Sequence, residues 1–389
     1  MKNESFAATL KKNSMLIILV LVYLFFLVLT KGGIFQSSSF TELINQNAYV
    51  YILGVGMLMC MLTGGNIDLS CGAFVCLLGA IGGMFMIVKG MGTGVSILLL
   101  VLIGVLYGVI LGFLIAYVNI PPWIATLAGF LAFRGLGTSI LSNNSTTGSL
   151  APFPVSFQNV FYGRVFPTNK GVFNIPCFAA GLLAAAVITL VIFLNRKNRI
   201  KKGYEADTIR AACLKSVISD AAVLLVMYKL AWDGGIPTTL LWVAGIVLIY
   251  SFITSKTTIG RHFYVVGGNM EAARLSGVNT RRIMFLAYLN MAVLTAIATF
   301  TVVARSQSAY ADVGKNFDMD AISACVVGGV SATGGAGSVL GMVIGATLIG
   351  IINLGMSLIS LDANYQRVVK GFVLLAAVVF DILSKKKER

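Results

Sequence analysis

Residues 15–30 read MLIILVLVYLFFLVLT, without a charge and without alternation, and a succession of similar apolar blocks follows along the chain. Lipid imposes one rule on such segments: every backbone N–H and C=O must be paired within the protein, so only helices and closed barrels can span. A barrel strand alternates apolar and polar residues over about ten positions. These blocks do not alternate. They specify an all-α polytopic membrane protein of about 10–12 transmembrane or re-entrant helices. Only 11% of the residues are charged, against about 25% in a soluble domain, so one large water-soluble core is excluded.

The blocks lie at 15–30, 48–63, 72–88, 94–118, 123–141, 177–194, 217–231, 239–253, 283–304, 321–330, 339–359 and 368–383. The tenth is too short to cross about 30 Å of hydrocarbon as a straight helix, so a half-helix or re-entrant piece is expected there. The whole chain, 1–389, reads as one transmembrane domain. The basic start of the chain before 15–30 imitates a signal peptide, but no small-residue cleavage site follows, so this run is expected to stay as a first span.

The formal net charge is +15. With no soluble domain to carry a basic face, that excess reads as topology rather than nucleic-acid binding. If the first residues are cytoplasmic and the spans alternate, nineteen of the 29 basic residues fall inside, at 2–12, 196–215, 256–282 and 385–389, and six fall outside. That bias is the one membrane insertion enforces. It places both termini and the loops near 195–216 and 254–282 in the cytoplasm, and the loop near 142–176 outside. The six cysteines show no metal-ligand spacing and His262 is the lone histidine. No metal site, disulfide framework or catalytic constellation is expected. A phosphate-binding loop of the form GxxxxGK[ST] is absent, so the chain is not an ATPase and needs no cofactor of its own.

Two glycine-rich breaks interrupt apolar sequence: GGNIDLSCG at 64–72 and GGVSATGGAG at 328–337. Paired breaks are expected to mark an internal repeat, with a translocation pathway between its halves near mid-membrane. Close helix packing alone would also use such glycines. Candidate pathway residues are Asn66, Asp68, Ser70, Trp123, Thr126, Arg134, Gly334 and Gly335. Asp68 and Ser70 also fit as caps for the third span. Arg134 interrupts the fifth span and must face a partner or a wet cavity. Asn290 and Asn353 are further polar groups at membrane depth, where Asn more often bonds a neighbouring helix. In the loop 254–282, Asn269 fits a helix N-cap, Glu271 its first turn and Gly277 its terminator, which specifies a short isolated helix. So short a helix is marginal in water and needs something to hold it.

The segments GGNIDLSCG, IPPWIATLAGFLAFRGL at 120–136, IGRHFYVVGGNMEAARLSGVNTRR at 259–282 and the C-terminal run through VVGGVSATGGAGSVLGMVIGA to VVKGFVLLAAVVFD resemble the permease subunits of bacterial ABC importers for monosaccharides. The segment around 177–231 resembles the longer xylose or multiple-sugar branch, from which Asn66 and Cys71 depart. The resemblance implies a bacterial inner-membrane location, import of xylose or a related sugar, and a homodimer. It also implies two partners, a tandem-domain ABC ATPase that hydrolyses the ATP and an extracytoplasmic sugar-binding protein. Asn269, Glu271, Ala272, Ala273, Arg274 and Gly277 would then form the helix that couples to the ATPase, with Ala272 and Ala273 allowing close approach. A same-fold permease for amino acids or nucleosides, or an ion-coupled secondary transporter, are the alternative readings.

The charge bias yields a direct test. A single cysteine at position 201, in a cysteine-free background, is expected to resist membrane-impermeant thiol reagents in intact cells and to react once the cells are opened. Labelling from outside would reverse the topology.

Overall fold

The computed structural model describes residues 14–206 and 208–386. The basic residues at 2–12 and 387–389 lie outside the described residues. Fifteen α-helices are present among those described: α1 Ser14–Leu29, α2 Ser37–Leu62, α3 Cys71–Gly83, α4 Thr93–Ala116, α5 Pro122–Asn144, α6 Val155–Tyr162, α7 Ile175–Lys201, α8 Ile209–Trp232, α9 Thr238–Lys256, α10 Thr258–Gly268, α11 Met270–Leu275, α12 Thr280–Ser306, α13 Phe317–Val327, α14 Val339–Leu358 and α15 Ala363–Lys386. Among the described residues nine helices are long and apolar enough to cross a membrane, α3 counting with the π turn Met84–Val88 that extends it. The short tenth block is α13, 11 residues and so about 16 Å long, a half-span.

Four helices form the centre. The most apolar stretch of α2 is 78% buried, and α3, α12 and α14 are similar; the corresponding figure for α8 is 11%. α5, α7, α8 and α9 therefore stand as an outer ring with apolar faces open to lipid. Helices pair in lipid without a hydrophobic drive, so close approach matters. α4 meets α12 along Gly104, Gly108 and Gly112, one residue every four. A Cβ at Gly108 would lie 2.8 Å from the Leu289 Cα, and one at Gly112 would lie 2.9 Å from the Phe285 carbonyl oxygen. The same logic joins α13 to α14, where a Cβ on Gly345 would sit 2.0 Å from the Ala324 carbonyl oxygen.

At one end of the bundle the connections form a small cap. Two antiparallel pairs of two residues each, β1 Ser149–Leu150 with β4 Ala309–Tyr310 and β2 Arg164–Val165 with β3 Ile236–Pro237, tie the 145–174 loop to the ends of α8 and α12. Asp233 closes the C-terminal end of α8, where a carboxylate faces the negative end of the helix dipole. Arg164 compensates, its Nη2 lying 2.8 Å from the Asp233 Oδ2, and Lys170 lies 3.6 Å from Oδ1. Burial opposes ionisation of Asp233. The Arg164 hydrogen bond and the two cations outweigh burial, and its carboxyl is held below the ordinary range. At the opposite end lie the last residues of α2, α7 and α9, all of α10 and α11, and the 328–337 break.

Asp233→Asn should loosen the outer α7–α8 hairpin. The expected cost is about 1–2 kcal/mol, read as a lower melting temperature of the purified protein, after allowing for solvent at the partly open Arg164. A depressed folded pKa contributes stability that is complete above the unfolded value of about 4 and is lost as pH falls below it. The wild type should therefore lose stability below about pH 4 in a step that Asp233→Asn lacks.

Candidate functional site

Three segments distant in sequence meet at the α10 end of the bundle. The 64–72 break begins where α2 stops, after 26 residues, about 39 Å of helix. It touches the second break directly: a Cβ at Gly65 would lie 2.0 Å from the Ala332 carbonyl oxygen, and one at Gly334 would lie 2.5 Å from the Gly64 backbone. The end of α10 closes the third side. A Cβ at Gly267 would lie 1.7 Å from the Leu62 carbonyl oxygen, and one at Gly335 would lie 2.8 Å from Gly268. Gly65, Gly334 and Gly335 also carry positive φ, a region open to glycine at no steric cost. The Gly335 N–H donates to the Leu62 carbonyl (3.2 Å) and the Tyr264 hydroxyl to the Gly337 carbonyl (3.2 Å). The expected mid-membrane position of these glycines is thus corrected. A helix as long as α2 carries the break across the bilayer, so the junction sits at the end of the bundle.

α11 leaves this junction at once. The Asn269 Oδ1 accepts from the Ala272 N–H at 2.9 Å, the N-cap bond. At the other end the Gly277 N–H donates to Arg274 and the Val278 N–H to Ala273, both at 3.0 Å, with Gly277 at φ 83°. That pair of bonds is a complete Schellman termination. Glu271 and Arg274 pair across one turn at 3.1 Å and are both exposed. Ala273 departs from expectation. It is fully buried among α10 and α12 residues of its own chain, so it anchors α11 and cannot be presented to a partner. The exposed face is instead Met270, Glu271, Ala272, Arg274 and Leu275, with Leu275 84% exposed. Neither Met270 nor Leu275 was evident in the sequence, because an exposed apolar residue on a six-residue helix has no pattern to stand out from.

The remaining candidates divide. Asp68 and Ser70 are buried together: the Asp68 Oδ1 accepts from the Ser70 N–H at 2.8 Å and from its hydroxyl at 2.6 Å, and the Ser70 hydroxyl lies 2.6 Å from the Tyr107 hydroxyl on α4. The Ser70 side chain makes no cap bond to α3. The hydroxyl does not take its expected capping role: it donates to Asp68 and its oxygen accepts from the Tyr107 hydroxyl rather than from a helix N–H. Asn66 donates back to the Thr63 carbonyl at 3.1 Å. Arg134 donates to the carbonyls of Ala311 and Val313, both at 2.8 Å, which holds the 307–316 segment against α5. That segment reaches Gly72, where each backbone leaves no room for a Cβ on the other. Trp123 and Thr126 do not join this group. Trp123 is 59% exposed at the start of α5, the position of an interfacial anchor, and Thr126 bonds back to the Pro122 carbonyl. Asn290 accepts from the Tyr250 hydroxyl and Asn353 donates to Asn47, so both serve helix contacts.

A second buried cluster sits where α13 begins. The Tyr49 hydroxyl donates to the Asp320 Oδ2 at 2.6 Å, and the Lys370 Nζ reaches the same oxygen at 2.9 Å. Tyr49 stacks on Phe317 with 3.6 Å between ring centroids. A buried acid at membrane depth requires such partners. Tyr49 and Lys370 lie far along the chain from Asp320, and nothing in their own neighbourhoods singles them out. Half-helix α13 is therefore held at both ends, by this cluster and by the glycine junction.

A broken-helix bundle with a half-span, two glycine breaks and a capped external helix defines a membrane permease. The chain belongs to the family described as the branched-chain amino acid transport system permease component, whose model matches residues 39–378. It is 34% identical to the xylose transport system permease protein of Haemophilus influenzae over 96% of both chains. It is 32% identical to the protein of that name in Escherichia coli K12, over 96% of this chain and 92% of the other. It is also 32% identical to the ribose import permease protein of Bacillus subtilis, over 87% of this chain and 83% of that one. No solved structure matches it.

The junction makes neighbouring glycines unequal. Gly267→Ala forces a Cβ into the Leu62 carbonyl, whereas a Cβ on Gly268 meets nothing within 4 Å. Gly267→Ala should lower the melting temperature of the purified protein, at a cost of about 1–3 kcal/mol or more. Gly268→Ala should leave it unchanged. Equal behaviour of the two variants would remove the close approach on which the junction rests.

Proposed function

We propose that this chain is the membrane-spanning permease subunit of an ATP-driven bacterial importer for xylose or a related monosaccharide. The observation that carries the reading is α11. It is capped at both ends, anchored by Ala273, exposed through Leu275, and continuous with the glycine junction. A chain that takes ATP energy from another subunit needs a rigid external contact tied to its spans. α11 supplies one, and α10 hands its displacement to both breaks through Gly267 and Tyr264. The break at 328–337 passes it to α13, whose far end is held by Asp320, Tyr49 and Lys370. In this reading α13 is the moving part of the pathway.

The family description names branched-chain amino acids, yet relatives aligned over nearly the whole chain are named for xylose and ribose. That favours a sugar. The pathway would run beside Asp68 and Ser70 and open at the 328–337 break, a path lined by hydroxyl, carboxylate and backbone groups. The full transporter would contain two copies of this permease, a separate tandem-domain ATPase and an extracytoplasmic sugar-binding protein, in the inner membrane with both termini cytoplasmic. Replacing Ala273 would damage the permease itself because it is buried; the informative position is Leu275.

Leu275→Asp should leave folding intact, since that side chain meets solvent, and should abolish both co-purification of the ATPase and ATP-dependent sugar uptake. Normal uptake by this variant would overturn the coupling role. Uptake that collapses on dissipating ion gradients, with ATP held constant, would instead make the protein an ion-coupled transporter.

A further inference from the structure

The outer hairpin α7–α8 plays no part in the junction, yet its ends build two adjoining concavities. One, of about 440 Å3, is lined by Arg196, Arg199, Lys215 and Glu205. The other, of about 480 Å3, is lined by Asn198, Lys202, Tyr204 and Lys256, and shares Asn195 and Arg199 with the first. Four cations on α7, α8 and α9, with Lys202 just past the end of α7, thus surround one double cup, and Glu205 is the acid that lines it among the described residues. The Arg199 Nε donates to the Glu205 carbonyl at 2.9 Å, which fixes that guanidinium on the wall between the two cups. A topological charge bias can be met by cations scattered over loops; it does not require them to be gathered around a hollow.

The surroundings select the occupant. Directly toward mid-span the cup gives way to exposed apolar side chains, Leu190 and Leu194 on α7, Leu214 and Ile218 on α8, and Leu248 and Phe252 on α9. Cations at the interface above an apolar wall match an anionic headgroup above acyl chains. A free phosphate would use the cations and leave the wall bare. Tyr204, 65% exposed, stands at the level where aromatic residues meet headgroups.

We propose that the double cup binds an anionic glycerophospholipid of the adjacent leaflet, its phosphate among Arg199, Lys202 and Lys256 and its acyl chains along α7, α8 and α9. The test uses the full-length protein in nanodiscs of mixed phosphatidylglycerol and phosphatidylcholine, released for native mass spectrometry to count the lipids retained. The wild type should retain phosphatidylglycerol in preference, and excess inorganic phosphate should not displace it. Each neutralised cation should weaken retention about fivefold, so Arg199→Gln with Lys202→Gln and Lys256→Gln should erase the preference. Lys202→Gln alone should show the single step, which keeps the test open if the triple variant folds poorly. Arg261→Gln with Arg281→Gln and Arg282→Gln removes as many charges elsewhere and should leave the preference intact. Equal loss in both triple variants, unchanged retention in the first, or displacement by inorganic phosphate would overturn the assignment.

Discussion

Backbone touching backbone, with no Cβ between, is the contact on which the rest of this molecule depends. Where Gly65, Gly267, Gly334 and Gly335 converge, the space a Cβ would take is already filled by backbone atoms. Glycine is the residue that admits such an approach and also takes the positive φ the breaks require. The result is a contact without rotatable side chains to absorb displacement. A movement of α10 therefore reaches the end of α2 and the 328–337 break directly, as rigid packing requires. The same device, repeated along Gly104, Gly108 and Gly112, seats α4 on the central helix α12.

Three charged groups inside the bundle are each matched by partners. Arg134 has two carbonyls, Asp68 has Ser70 and the hydroxyl chain to Tyr107, and Asp320 has Tyr49 and Lys370. Each is a group that hydrocarbon would penalise if left alone. Their positions are not scattered. Arg134 and Gly72 fix the segment that leads into α13, Asp320 fixes its first turn, and the glycine junction fixes its far end. The half-helix is defined by anchors at its ends and not by its own length or propensity.

Function on this plan divides between centre and ring. The centre joins an external helix to a broken span. The ring, and the α7–α8 hairpin above all, meets lipid along its sides and carries its own cation-lined hollow. The Arg164–Asp233 pair holds this hairpin to the cap at one end, while the proposed lipid site lies at the other.

Much of this was written locally and could be read locally. Asn269 and Gly277 delimit α11 because a cap bonds amides two or three residues away, so the signal lies within a few positions of its effect. The apolar blocks announce helices, and the length of the tenth announces a half-span, because bilayer thickness is a fixed ruler. The glycine breaks were visible as breaks. Their depth was not, since it depends on where α2 begins. Their mutual contact was not either, since Gly65 and Ala332 meet across most of the chain. Ala273 looked like a surface residue because a small side chain carries no mark of which way it faces; only the packing of α11 on α10 and α12 decides. Tyr49 and Lys370 became partners of Asp320 for the same reason. Caps and spans follow from interactions between near neighbours, which the sequence alone settles. Contacts between remote segments depend on how the helices are placed, and only the tertiary structure determines that.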